Sequence, residues 1–288
     1  MNGDWTINCG PDGVIPFGSQ RSGYPFAIAP EIGDTERATQ DGTLPGVDGA
    51  TFGVDTFAGQ TVAFGLTAIG ETDDDARALY DEFRKTWRAD TIRSTPGELA
   101  MLTAPSGRST FGRTRRITPT FFPSNAGAVG ITADFATADD LWYGDEEFLE
   151  VPLALSQSGG FVFPARFPLV ARGYTTASNT FVVHGSRPTW GVIDVFGPIL
   201  NPTVDVPGAF RFSSPVSLAY DEWLTIDTRP GRRFVTKNGV QSAPLTRKST
   251  LLPASALPVG SHTMTLSGSA ATGVPRARIS WRPANTTP

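Results

Sequence analysis

TDDDARALYDEFRKTWR, Thr72 to Arg88, is the stretch from which the fold is read, because apolar residues recur there at helical spacing. Ala76, Leu79, Tyr80, Phe83 and Trp87 stand at i, i+3, i+4, i+7 and i+11, one stripe along one face. Thr72 is placed to cap the first turn, with Asp75 three residues on as a shortened capping box. Asp73 to Asp75 lie at the positive end of the helix dipole, and Arg84, Lys85 and Arg88 at the negative end. A rod of this length spans roughly 24 Å. Its four large apolar side chains are worth about 1.5–3 kcal/mol each when fully buried, so it needs a flat apolar surface to cover. The sequence on both sides reads as strand and turn, which predicts one helix packed on a mainly β domain.

Composition agrees with that reading. The 288 residues include 31 Gly and 24 Pro, scattered between short apolar runs, as in many short strands joined by tight turns. No apolar run approaches the roughly 18 residues of a membrane span. The opening MNGDWTINCG has neither the basic region nor the apolar core of a signal peptide, so the expectation is a chain that is soluble as made. Cys9 is the sole cysteine, which excludes an internal disulfide and a thiolate metal cluster within one chain. The net charge of −4 argues against nucleic acid as a general partner. Its distribution is lopsided: residues 1–150 carry 11 basic and 23 acidic side chains, and residues 151–288 carry 13 basic and 5 acidic. Two domains of opposite charge, attracting one another within a chain or between chains, follow from that asymmetry.

Working outward from the helix, Val62, Phe64, Leu66 and Ala68 alternate in a strand that follows a reversal at Gly59-Gln60, and Phe52 and Val54 begin the strand before it. Trp5 and Ile7 mark a first strand, and Gly10 to Gly23 reads as turn or loop. After the helix come strand candidates at Leu99 to Leu102, Arg108 to Phe122 and Ala128 to Phe135, the last with Val129, Ile131, Ala133 and Phe135 on one side. Residues 144–172 mix Pro, Gly and aromatics, as in an extended linker pinned against something. From Tyr174 the pattern is purely β. Lys237-Asn238-Gly239-Val240 is a two-residue hairpin turn, because Asn-Gly accepts positive φ at both central positions. In Arg276 to Arg282, Ala277, Ile279 and Trp281 face inward while the arginines face out. Eight or so short strands in this half predict a β-sandwich.

Residues suited to catalysis are scarce. His184 and His262 are the two histidines, with His262 in an alternating strand where a structural role is expected. G-x-S-x-G, H-E-x-x-H and P-loop motifs are missing. The neighbouring carboxylates Asp139-Asp140, Glu146-Glu147 and Asp221-Glu222 would point to opposite faces of a strand, which rules out a shared acid–base role there. The expectation is no catalytic, cofactor or metal site. RTRR, Arg113 to Arg116, is read first as a solvated or inter-subunit face and second as a phosphate or glycan patch. Trp142 and Trp190, near turns, are the alternative candidates for stacking on sugar rings, whereas Trp281 belongs to the core.

Three stretches together resemble the distal tail proteins, or minor tail proteins, of long-tailed bacteriophages with non-contractile tails. PGVDGATFGVDTFAGQTVAFGLTAIG followed by an amphipathic helix is similar to that family's amino-terminal split-barrel or belt domain. GITADFATADDLWYG is similar to the closing belt strand and its Asp-Pro-x-x-Tyr-like end, with Asp140 where proline is usual. HGSRPTWGVIDVFGPILNPTV, EWLTIDTRPGRRFVTKNGV and LPVGSHTMTLSGSA fall in the order of the family's galectin-like sandwich. His184-Gly185-Ser186 stands where an Asn-rich turn is common, and no binding role is carried over to it.

The resemblance implies a mainly β chain: a belt domain over 1–150 with one packed helix at about 73–88, a linker over 151–172 and a galectin-like sandwich over 173–288. It further implies a structural, non-enzymatic virion component, assembled in the host cytoplasm as a homohexameric ring at the tail tip. Its expected partners are copies of itself, the tail-tube protein and the tail-tip hub. DNA would pass through the channel without specific binding, and Asp139 and Asp140 are candidates for the acidic lining that keeps it from sticking. The alternative is a carbohydrate-binding module that contacts the host wall, and a glycosidase is a third reading.

Overall fold

The computed structural model describes residues 4–33, 37–43, 45–46, 48–122, 127–153, 179–270 and 273–288. The chain is mainly β and divides into two compact units, Met1–Gly144 with Asn285–Pro288, and Asp145–Ala284. The greater part of the linker expected at 151–172 lies outside the described residues.

The first unit runs β1 (Trp5–Asn8), β2 (Val14–Phe17), β3 (Phe26–Ile32), β4 (Arg37–Ala38), β5 (Thr56–Phe57), β6 (Thr61–Ile69), α1 (Asp73–Arg88), α2 (Asp90–Ser94), β7 (Ala100–Thr103), β8 (Ser109–Phe121), β9 (Ala128–Thr137) and β10 (Trp142–Tyr143). Its main sheet has the order β2-β1-β7-β8-β9-β6-β3, and all of these neighbours are antiparallel. Helix α1 has the expected bounds and caps. The Asp75 amide donates to Thr72 Oγ1 at 3.2 Å, and the Thr72 amide donates back to Asp75 Oδ2 at 3.1 Å. Two donors that would otherwise be orphaned at the helix start are satisfied reciprocally. The helix ends at Ala89, in the left-handed region at φ 43°, where the chain turns directly into α2. That five-residue helix is too short to leave a periodic signature.

The stripe on α1 meets the sheet through Phe64. Its ring lies 5.0 Å from Phe17, 5.5 Å from Trp5 and 6.3 Å from Trp87, all edge-on. Val62, Leu66 and Ala68 flank it on β6, and Val129, Ile131, Ala133 and Phe135 face it from β9. The segment Gly10–Gly23, expected as loop, contains β2, whose Ile15 and Phe17 enter this core beside β1.

The second unit runs β11 (Glu147–Pro152), β12 (Thr180–Val183), β13 (Gly191–Phe196), β14 (Ile199–Val206), β15 (Phe210–Ser213), β16 (Ser217–Leu218), β17 (Trp223–Asp227), β18 (Phe234–Lys237), β19 (Gln241–Ser242), β20 (Gly260–Thr263), β21 (Thr265–Ser269) and β22 (Arg276–Trp281). A six-stranded sheet, β11-β22-β13-β17-β18-β19, shares one core with the sheet formed by β15, β14, β16 and β21 and with the pair β12–β20. This is a β-sandwich. The unit begins earlier than residue 151, because β11 pairs with β22 from Glu147↔Trp281 to Pro152↔Arg276. On β22, Ala277, Ile279 and Trp281 are buried. The Asn238-Gly239 turn has φ 54° and 72°, and the Val240 amide donates to the Lys237 carbonyl. Strand pairing resumes at Lys237↔Gln241, so the loop holds three residues where two were expected, with Val240 left over and 90% exposed.

Candidate interaction surfaces

The helix stripe is a docking face already in use. Ala76, Tyr80, Phe83 and Trp87 are buried, and Leu79 is partly buried against the same core. The Phe83 ring stacks on Trp87 at 5.4 Å and tilts against Tyr24 at 5.1 Å, while the Tyr24 hydroxyl donates to the Leu79 carbonyl at 3.0 Å. These side chains hold α1 to the sheet within one chain.

Trp142 is fully buried, edge-on to Trp5 at 5.8 Å, and presents no face to a sugar ring. The reading of Trp142 as a glycan contact is therefore corrected: a nearby turn in the sequence did not mean exposure. Trp190 is half-buried and its indole Nε1 is enclosed without a hydrogen-bond partner among the described residues. Asp139, read as a candidate for the channel lining, is half-buried and engaged within its own chain. Its carboxylate accepts from the Tyr143 hydroxyl at 2.6 Å and from the Leu141 amide at 3.0 Å. Burial pushes its pKa above the ordinary carboxylate range, against the lowering effect of those two bonds, and Asp140 adds to the rise. The same burial and the Asp139 charge push the Tyr143 phenol up.

Several other polar groups singled out in the sequence have structural partners. His262 Nε2 donates to the Pro258 carbonyl at 2.7 Å. Glu222 accepts from Lys237 at 2.8 Å and from the Ala219 amide at 2.7 Å, contacts that hold its pKa low. Arg113 donates from Nε to the Glu98 carbonyl at 3.0 Å and from its terminal nitrogen to the Thr95 carbonyl at 2.8 Å, tying down the loop after α2. Arg116 Nε donates to Thr118 Oγ1 at 3.0 Å, next to Arg115 on the same strand. The two arginines occupy an irregularity in the β8–β9 register between Thr114 and Ile117, and both are exposed. A bulge of this kind re-aims side chains away from the ladder. The sequence missed Asp227, which is fully buried on β17 and grips Arg229 through bonds of 2.6 and 3.0 Å.

The recesses on the surface are shallow. One, of about 500 Å³, is bordered by Glu146, Phe148, Val182, His184 and Trp281, and another, of about 420 Å³, by Arg113, Arg115 and Ala138. Among the described residues, no group of three or more His, Cys, Asp or Glu is placed to hold a metal ion, and no helix is long and apolar enough to cross a membrane.

The first unit instead offers unpaired strand. β3 closes one side of its sheet, with Ile28 72% exposed and Glu31 exposed. β7 pairs with β8 only as far as Gly112, so among the described residues Arg113–Phe121 has a partner, β9, on one side alone. Beyond β3 and β6 the chain makes a ribbon, β4 paired with β5, whose described residues from Arg37 to Gly59 are all exposed. Phe52 and Val54, expected to begin a strand, lie in this ribbon at 82% and 76% exposure.

No protein-family model and no curated protein matches the chain. Among solved structures, it is similar to the Dit protein of phage SPP1, described as a paradigm of the hub adsorption apparatus in phages that infect Gram-positive bacteria. That similarity is at 14% identity with a TM-score of 0.56, and it covers 97% of this chain and 98% of the other. It is also similar to a chain of the phage p2 baseplate in its activated conformation with strontium, at 12% identity and a TM-score of 0.50, covering 96% of this chain and 97% of the other. The chain has the fold of the SPP1 Dit protein.

Proposed function

We propose that this protein is a structural, non-enzymatic component of a phage tail tip, a hexameric ring that joins the tail tube to the hub and surrounds the DNA channel. The observation that carries the reading is the fold shared with SPP1 Dit over nearly the whole of both chains. The strand edges of the first unit that have no further partner among the described residues support it. β3 and the Arg113–Phe121 part of β8 lie on opposite sides of the four strands β8-β9-β6-β3. An edge strand is a template for pairing with another chain, and two different edges pairing head to tail close a ring when the rotation is right. Charge favours this register, since Arg115 and Arg116 line one edge and Glu31 the other.

The test is to label the carboxy terminus with gold in intact virions and image them by negative stain. Label confined to the junction between tube and tip supports the reading, and label on the capsid, along the tube or absent from virions overturns it.

A further inference from the structure

One end of the sandwich carries a clasp centred on Asn238. The Trp223 amide donates to Asn238 Oδ1 at 3.0 Å, and the Asn238 amide donates back to the Trp223 carbonyl at 2.9 Å. The side chain of Asn238 also bonds Glu222, one of the contacts that hold that carboxylate's pKa low. Glu222 in turn gathers Lys237 Nζ at 2.8 Å and the Ala219 amide at 2.7 Å, and its carbonyl accepts from the Gly197 amide at 2.9 Å. Lys237 Nζ reaches on to the Ser217 carbonyl at 3.1 Å. One asparagine side chain therefore ties the β18–β19 turn to the start of β17 and, through Glu222, to the turns after β13 and β16.

The same side chain is chemically labile. An Asn followed by Gly loses its amide readily, because glycine has no side chain to hinder attack by its own nitrogen. The sequence holds two such pairs, Asn2-Gly3 and Asn238-Gly239. Asn238 and Gly239 are exposed, and a Cβ built on Gly239 would meet nothing within 4 Å, so water has free approach. Against this, the clasp pins the Asn238 side chain and the turn fixes its backbone at φ 54°. A pinned side chain does not swing its Cγ onto the next nitrogen, so reaction requires the hairpin to open first.

We propose that Asn238 is a deamidation site kept latent by this clasp, and that conversion there loosens the end of the sandwich irreversibly. In the opened hairpin the Gly239 nitrogen bonds to Asn238 Cγ, the bond from Cγ to the side-chain nitrogen breaks, and the Gly239 amide proton leaves with that nitrogen as ammonia. Water then adds to the succinimide ring and opens it to aspartate or isoaspartate, with no oxidation or reduction. Either product sets a new carboxylate where an amide met Glu222, so like charges face each other. Isoaspartate also adds one carbon to the main chain inside the turn, against the Lys237↔Gln241 register.

The test incubates the full chain at mildly alkaline pH, natively and in urea, and reads each Asn-Gly pair by peptide mapping and mass spectrometry. Conversion at Asn238 should be at least about tenfold slower in the native chain than in urea. Glu222→Ala and Lys237→Met cut the clasp without altering the Asn-Gly pair, and each should speed native conversion at Asn238 about threefold or more while leaving Asn2 at its wild-type rate. Asn238→Asp stands for the product and should lower the thermal midpoint, by more at low salt than at high. Equal rates at Asn238 in native and unfolded chain, or no acceleration in both clasp variants, overturn the latency. A midpoint for Asn238→Asp equal to wild type at low salt overturns the loosening.

Discussion

Cys9 illustrates how far single residues are governed by their surroundings. It is fully buried beside Asp12, and burial first, then the Asp12 charge, pushes its thiol up to about 12. The native protein at pH 8 should therefore leave a thiol reagent uncoloured for hours and react with one equivalent on unfolding, whereas a fast native reaction would contradict the burial. Asp139 makes a second prediction. Its folded-state pKa is raised above the ordinary 3.8, so the folded chain binds this proton more tightly than the unfolded chain does. Stability from this site is present below that value and is lost as pH rises through the folded pKa. Asp139→Asn removes the titration and keeps an oxygen for the Leu141 amide. Its urea midpoint should gain on wild type progressively as pH rises from about 3.8, and a difference that does not change with pH would refute the assignment. Nothing in the sequence showed Asp139 to be half-buried with its carboxylate engaged. A carboxylate among aromatics reads equally as a surface cluster, and only the fold brings the Tyr143 hydroxyl onto it.

At the scale of elements, legibility followed periodicity. α1, β6 and β9 each place four or more apolar residues at a fixed spacing, and each faces the same core. Where a segment is short, two interpretations compete: β2 sits among glycines and a proline that also suit a loop, and α2 spans little more than one turn. The hairpin at Asn238 was identified by its chemistry, but the extra Val240 depends on where strand pairing resumes, which the turn residues do not fix. Alternation at Phe52 and Val54 indicates two unlike faces without saying whether either is covered. Trp142 was misread because lying near a turn does not show whether a side chain is covered. The packing of α1 is directly testable. Phe83 is fully buried between Trp87, Tyr24 and Phe17. Phe83→Asp combines loss of a core aromatic with burial of an unpaired charge and should cost about 4 kcal/mol or more. A thermal midpoint by circular dichroism within a degree or two of wild type would show that the helix does not depend on this stripe.

For the whole molecule, the charge asymmetry between halves, plain in the sequence, acquires a location. The acidic side includes the ribbon, and the basic side includes Arg276 and Arg278 on β22. Surfaces of this kind are unprofitable for an isolated chain, because exposed aromatics and open strand edges invite association. The proposed ring would use the edges of β3 and of Arg113–Phe121 on β8, which have no further strand partner among the described residues. Native mass spectrometry across a range of protein concentrations, at low and at moderate salt, tests this most directly. Six chains of 30.7 kDa should give a closed species of about 184 kDa that dissociates as salt rises. A single species of 30.7 kDa at every concentration and salt, or an open series of masses with no preferred size, would contradict ring closure by these edges.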